Sequence, residues 1–130
     1  MEVKKMVVVV DDESDTRTYL YELLWSEGYE VTTAADAFEA LKVIAKSKPD
    51  LVITDVRMPN MEGMELLTKI KNVSPETRVI LLTAYGDCQQ YLEAVGKGAE
   101  DLVLKPIKNK ELVRIVRRIF EQISLTKPQK

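Results

Sequence analysis

Histidine is missing altogether from this 130-residue chain. That gap removes the Ser/His and Cys/His catalytic pairs, imidazole metal ligands and any phosphorylatable imidazole within the chain. Cysteine is nearly as scarce, and the lone Cys88 excludes both an internal disulfide and a cysteine zinc cluster. No apolar run is long enough to cross a bilayer, and the start of the chain lacks the basic, apolar and small-residue layout of a signal peptide. A cytoplasmic location without membrane contact is expected. Excess charge is also absent: Lys+Arg 19 against Asp+Glu 21 leaves a net charge of −2, so no basic field recommends nucleic acid as a direct ligand. Cations do gather late in the chain, at Lys105, Lys108, Lys110, Arg114, Arg117 and Arg118. A solvated helix face accounts for them at least as well as a binding patch.

What remains is ordinary globular composition, 45% hydrophobic and 31% charged, in a length that suits one domain with a core of its own. Apolar β-branched runs alternate with helical periodicity. Strands are predicted at Met6 to Val10, Tyr29 to Ala34, Leu51 to Thr54, Arg78 to Leu82 and Leu102 to Leu104. The first intervening helix runs from Ser14 to Glu27, with Ser14 or Asp15 as cap and Tyr19, Leu20, Leu23 and Leu24 recurring at helical spacing. A second carries Ala37, Phe38, Leu41, Ile44 and Ala45 on one face, and a third begins at Gly63 and buries Met64, Leu67 and Ile70. The fourth, capped by Asp87, contains Tyr91, Leu92 and Val95. The last opens at Asn109 or Lys110, with Val113, Phe120 and Leu125 widening its apolar stripe. Parallel neighbours need crossover connections. The pattern therefore predicts a doubly wound α/β domain, and the absence of a glycine-rich first turn favours the five-stranded flavodoxin-like order 2-1-3-4-5 with five helices. Residues 1–124 form that domain, and 125–130 a polar tail.

The predicted strand ends share a chemistry. Asp11 and Asp12 follow the first strand, Asp55 the third, Thr83 the fourth and Lys105 the fifth, all at the carboxyl edge where open α/β sheets place their ligand crevice. Clustered carboxylates repel by about 1 kcal/mol per pair in water and roughly 4 at a near-surface effective dielectric, so they need a cation. Oxygen ligands without cysteine or histidine suit a hard ion, with Mg²⁺ the natural choice. The set fits phosphoryl transfer to a carboxylate: Asp55 as nucleophile, Lys105 and the metal offsetting charge, and Thr83 donating a hydrogen bond.

Four stretches carry a resemblance: Val-Val-Asp11-Asp12-Glu13, Asp55-Val-Arg-Met-Pro59-Asn-Met-Glu-Gly63, Leu-Leu-Thr83-Ala84-Tyr85, and Gly98-Ala-Glu-Asp101-Leu-Val-Leu-Lys105-Pro106. Together they resemble a bacterial response-regulator receiver domain, from about Val7 to Phe120. The resemblance implies that Asp55 is the phosphoacceptor and that Asp11 and Asp12 hold Mg²⁺ directly or through water, with the main-chain carbonyl of Arg57 as a further ligand. It also implies that Thr83 is the switch hydroxyl and Lys105 the phosphate-binding lysine, before a cis Lys105-Pro106 bond. Arg57 and Tyr85 stand at the variable positions flanking the site, where bulk hinders the hydrolytic water and predicts a long-lived phosphoryl group. In one place the chain departs from the family: Leu102 stands where an aromatic residue is usual, and leucine has neither the size nor the phenolic hydroxyl.

The implied role is that of a signalling module rather than an enzyme. Its phosphoryl donor would be a sensor histidine kinase or histidine-phosphotransfer protein, and its output a changed surface of the fourth helix, fifth strand and fifth helix. That output would pass through an effector protein or a missing effector domain, and homodimerisation stays open. Two other classes compete. A degenerate receiver acting as a constitutive binding surface is kept alive by Leu102. An aspartyl-nucleophile phosphatase is disfavoured because Arg57 occupies the place, two residues after the nucleophile, where a general acid belongs.

Overall fold

Four consecutive valines, Val7 to Val10, have no exposed surface at all, which is possible only for a strand covered on both faces. They lie in β1 (Met6–Val10), second from one edge of a sheet whose pairings are all parallel. The computed structural model describes residues 5–58, 61–84 and 88–126. Its elements follow in strict alternation: β1, α1 (Ser14–Ser26), β2 (Glu30–Ala34), α2 (Ala37–Ser47), β3 (Leu51–Asp55), α3 (Gly63–Val73), β4 (Arg78–Thr83), α4 (Cys88–Gly96), β5 (Asp101–Leu104) and α5 (Asn109–Thr126). The sheet order is β2-β1-β3-β4-β5, with every pairing parallel, as the flavodoxin-like reading requires.

Strand periodicity divides the core in two. Val8, Val10, Val52, Val79 and Leu81 point to one side and pack with Ala37, Ala40 and Ile44 of α2 and Leu66, Leu67 and Ile70 of α3. Val7, Val9, Leu51, Ile53, Ile80 and Leu82 point to the other, against Leu20 and Leu24 of α1 and Leu112, Val116, Ile119, Phe120 and Ile123 of α5. Tyr29 stacks on Phe120 with ring centroids 4.9 Å apart, closing that layer at the start of β2. Among the described residues no helix is long and apolar enough to cross a membrane.

Several local expectations are corrected. Glu13, rather than Ser14 or Asp15, is the N-cap of α1, and it makes no side-chain cap bond; the Asp11 carboxylate instead accepts from the Glu13 N–H at 2.9 Å. In α2 the buried row is Ala37, Ala40 and Ile44, while Phe38 and Ala45 face outward. Alanine lets the helix lie close to the sheet, and a phenylalanine in that row would hold it off. In α3 Leu66 is fully buried and Met64 only partly. α4 does contain Leu92 and Val95, as expected, and both are exposed, at 69% and 47%, while Ala94 is buried. On α1 Tyr19 is exposed, and Leu125, near the end of α5, is exposed too. Asp87, the expected cap of α4, lies outside the described residues, as do Pro59 and Tyr85.

The edge of the sheet opposite the acids is stapled by polar bonds. The Thr77 hydroxyl donates to the Pro49 carbonyl at 2.7 Å and so accepts from Ser74 at 2.6 Å. Lys71 donates to the Thr77 carbonyl at 2.7 Å, and burial pushes its ammonium below the usual lysine range. At the carboxyl edge the fit is steric. Gly63 opens α3 directly beneath the end of β3: a Cβ there would collide with the Asp55 carbonyl and lie 2.9 Å from the Val56 Cα.

Two stability changes follow, both read by urea unfolding. Gly63→Ala is expected to cost about 2 kcal/mol or more, because overpacking here meets backbone rather than a yielding side chain. Thr77→Val, which leaves the Ser74 hydroxyl and the Pro49 carbonyl without their partner, should cost about 1–3 kcal/mol.

Candidate functional site

Parallel register brings the strand ends together. Val10 pairs with Thr54, Asp55 with Leu82 and Thr83 with Leu104, so the residues that follow emerge side by side. Asp11, Asp12 and Asp55 each offer a carboxylate oxygen, and these lie within 4.8 Å of one another. The three differ in exposure: Asp11 is fully buried, Asp55 half-buried and Asp12 exposed. Thr83 is buried beside them at the end of β4, and its carbonyl accepts from the Lys105 N–H at 2.7 Å. The Lys105–Pro106 peptide is cis.

Lys105 provides the cluster's counter-charge. Its Nζ lies 3.0 Å from Asp55 Oδ2 and 3.4 Å from Asp11 Oδ2. Partial burial works against the ammonium, but the hydrogen bond to Asp55 and the attraction of both carboxylates outweigh it, holding Lys105 above the usual lysine range. Asp11 moves the other way for its type. Burial raises it above the usual carboxylate range, and neither the Glu13 N–H nor the charge of Lys105 fully offsets that. The same pair thus favours charge on the lysine and disfavours it on the aspartate, because Asp11 has no solvent contact while the lysine side chain keeps 22% of its surface in water.

The phosphoacceptor loop predicted from sequence is held from both sides. Asp55 Oδ1 accepts from the Arg57 N–H at 3.2 Å. Val56 donates to the Leu82 carbonyl at 2.9 Å and accepts from Gly63 at 2.7 Å. The Thr54 hydroxyl, fully buried, donates to the Asp55 carbonyl at 3.1 Å. Leu102 is half-buried against the α2–α3 side of the core, the layer that also takes Ala94 of α4. Arg17 is an addition that no motif indicated: its Nη1 donates to the Asp11 carbonyl at 2.7 Å. The one signal for it is a cation near the start of a helix that follows an acid pair, where the dipole disfavours positive charge.

Chemically, the arrangement offers a cluster of hard oxygen donors, a lysine able to exchange carboxylate for phosphate, and a carboxylate at the mouth of the crevice. The donor set fits Mg²⁺: all oxygen, closely spaced and partly open to water, which that ion retains.

Comparison with known proteins agrees with this geometry. Residues 7–117 match the response regulator receiver domain. Sporulation initiation phosphotransferase F of Bacillus subtilis (strain 168) is 34% identical over 116 residues, covering 89% of this chain and 94% of that protein. The probable transcriptional regulator ycf27 of Cyanophora paradoxa is 39% identical over 119 residues, and there the chain spans about half of the relative's length. Among solved structures, a response regulator receiver domain protein from Clostridium thermocellum superposes with a TM-score of 0.88 at 32% identity, over 94% of this chain and 98% of that one. The matched region takes in every strand but for the first residue of β1, and each of the residues Asp11, Asp12, Asp55, Thr83 and Lys105, and the chain belongs to the response regulator receiver domain family of two-component systems.

Proposed function

We propose that Asp55 accepts a phosphoryl group from the phosphohistidine of a sensor histidine kinase or histidine-phosphotransfer protein, in a Mg²⁺-dependent reaction, and that the surface of α4, β5 and α5 passes the signal on. The observation that carries this reading is the placement of Asp55 within 4.8 Å of the Asp11 and Asp12 carboxylates and 3.0 Å from the Lys105 ammonium. The absence of histidine from the chain assigns the phosphohistidine to the partner. Family membership gives the coarser frame: receivers work with histidine kinases and with effector domains, signalling rather than turning over a substrate.

In the transfer, an Asp55 oxygen attacks phosphorus as the P–N bond to the partner's imidazole breaks. The bonding pair stays on the leaving nitrogen, which is protonated, and an acyl phosphate remains on Asp55. Asp11, Asp12, Asp55 and the main-chain carbonyl of Arg57 would hold Mg²⁺, which supplies charge neutralisation for the transferring group. Lys105 exchanges a carboxylate contact for a phosphoryl oxygen, and the Thr83 hydroxyl donates to another. Movement of Thr83 is the route to the output face, where Leu92, Val95 and Leu104 are exposed. Leu102, half-buried against the core layer that includes Ala94, replaces the usual aromatic residue on that route. We assign residues 1–124 to the receiver and 125–130 to a tail. The effector is a separate protein or domain.

Intact mass after treatment with Mg²⁺ and acetyl phosphate tests the reading. Wild type should gain one phosphate, labile to hydroxylamine, and Asp55→Asn none; no adduct on wild type, together with no response to beryllium fluoride, would favour a constitutive binding surface. Mg²⁺ alone should also stabilise the fold. At a hundredfold excess over its dissociation constant the gain is about 2.7 kcal/mol, and thermal unfolding unmoved by millimolar Mg²⁺ would count against a metal site.

A further inference from the structure

Each polar atom of Asp11 is held from a different direction. Its N–H donates to the Ala34 carbonyl of β2 at 3.2 Å. Oδ1 accepts from Glu13 at 2.9 Å, Oδ2 from Lys105 at 3.4 Å and the carbonyl oxygen from Arg17 at 2.7 Å. Asp12 is different: it is exposed, and among the described residues no hydrogen bond or ion pair fixes its carboxylate. Its direction is set by the backbone, and the planar peptide unit joining Asp11 to Asp12 contains the carbonyl that Arg17 grips.

Arg17 is the fourth residue of α1, near the positive end of the helix dipole, where a cation is disfavoured. Its side chain is half-buried and reaches back over six residues to the loop. A guanidinium suits this task, since its rigid planar fork fixes the direction of the bond it makes.

We propose that Arg17 is a positioning residue for the metal site: by holding the Asp11–Asp12 peptide plane it aims the Asp12 carboxylate at the cation that Asp11 and Asp55 share. The inference rests on the Mg²⁺ reading above and deepens it. Two physical effects of Arg17 have opposite signs. As a positive charge beside the acids it repels Mg²⁺, so its removal would tighten binding. As a clamp it orders a ligand, so its removal loosens binding, and supporting groups behind metal ligands typically contribute tenfold or more in affinity.

The experiment is calorimetric titration of the full chain with MgCl₂, for wild type, Arg17→Met and Arg17→Lys, alongside thermal melting in EDTA. Arg17→Met keeps most of the stem but neither charge nor donor, and should weaken Mg²⁺ binding at least about tenfold while melting in EDTA close to wild type. Arg17→Lys, with a donor but no fork, should fall between the two. Affinity of Arg17→Met equal to or tighter than wild type overturns the proposal. Should Arg17→Met fail to fold, Arg17→Lys decides: intermediate affinity supports the clamp, and affinity at or above the wild-type level overturns it. Absence of binding heat in wild type itself defeats the metal reading first, and the clamp with it.

Discussion

Like-charge repulsion among three carboxylates at one sheet edge is the constraint to which the rest of the structure answers. Water alone cannot relieve it, because Asp11 is wholly buried. Lys105 does so by reaching two carboxylates at once, and it is delivered by a strand two positions away from β3 in the sheet. The order β2-β1-β3-β4-β5 is therefore an electrostatic arrangement as well as a packing one. The central strands β1 and β3 bring the acids, and the outer β5 brings the base.

The backbone around the cluster is correspondingly rigid. Gly63 allows α3 to begin in contact with the last residue of β3, and the Val56 amide and carbonyl tie that turn to β4 and to α3. Asp55 thus sits on a short, fully bonded segment, whereas Asp12 projects into solvent. One acid is fixed by hydrogen bonds and the other only by the chain that carries it, so they differ in what it takes to reorient them.

Much of this was legible in the sequence, for definite reasons. β1 and β3 are unbroken apolar runs ended by acids, and only a doubly covered parallel strand reads that way. The strand ends were less legible because ladder pairing ignores side-chain polarity: Asp55, Thr83 and Asp101 all belong to strands although their side chains suggest loops. The face of α2 was read too wide: Ala37 and Ile44 are buried as expected, but Phe38 and Ala45 face outward and Ala40 was missed. Phe38, Leu41 and Ala45 repeat at the same period as Ala37, Ala40 and Ile44, and hydropathy alone favours the row with phenylalanine, although close helix–sheet contact selects the one with small residues. Asp11, Asp12, Asp55, Thr83 and Lys105 were readable as a set since each ends a strand. Arg17 was not, since its contact is to a carbonyl, and side-chain-to-backbone bonds leave no mark on residue type.

The bridge between Lys105 and Asp11 spans 94 positions of the chain. All three acids precede residue 56, and the lysine that balances two of them is made 50 residues after Asp55. During synthesis from the amino terminus the acidic half of the site exists as a long nascent segment before its base does. Native pairing of the two is a contact of high sequence separation, formed only when β4 and β5 have been added to the sheet. The electrostatic balance of the site is in that sense a record that the sheet has been completed out to β5, and not merely the strands that carry the acids.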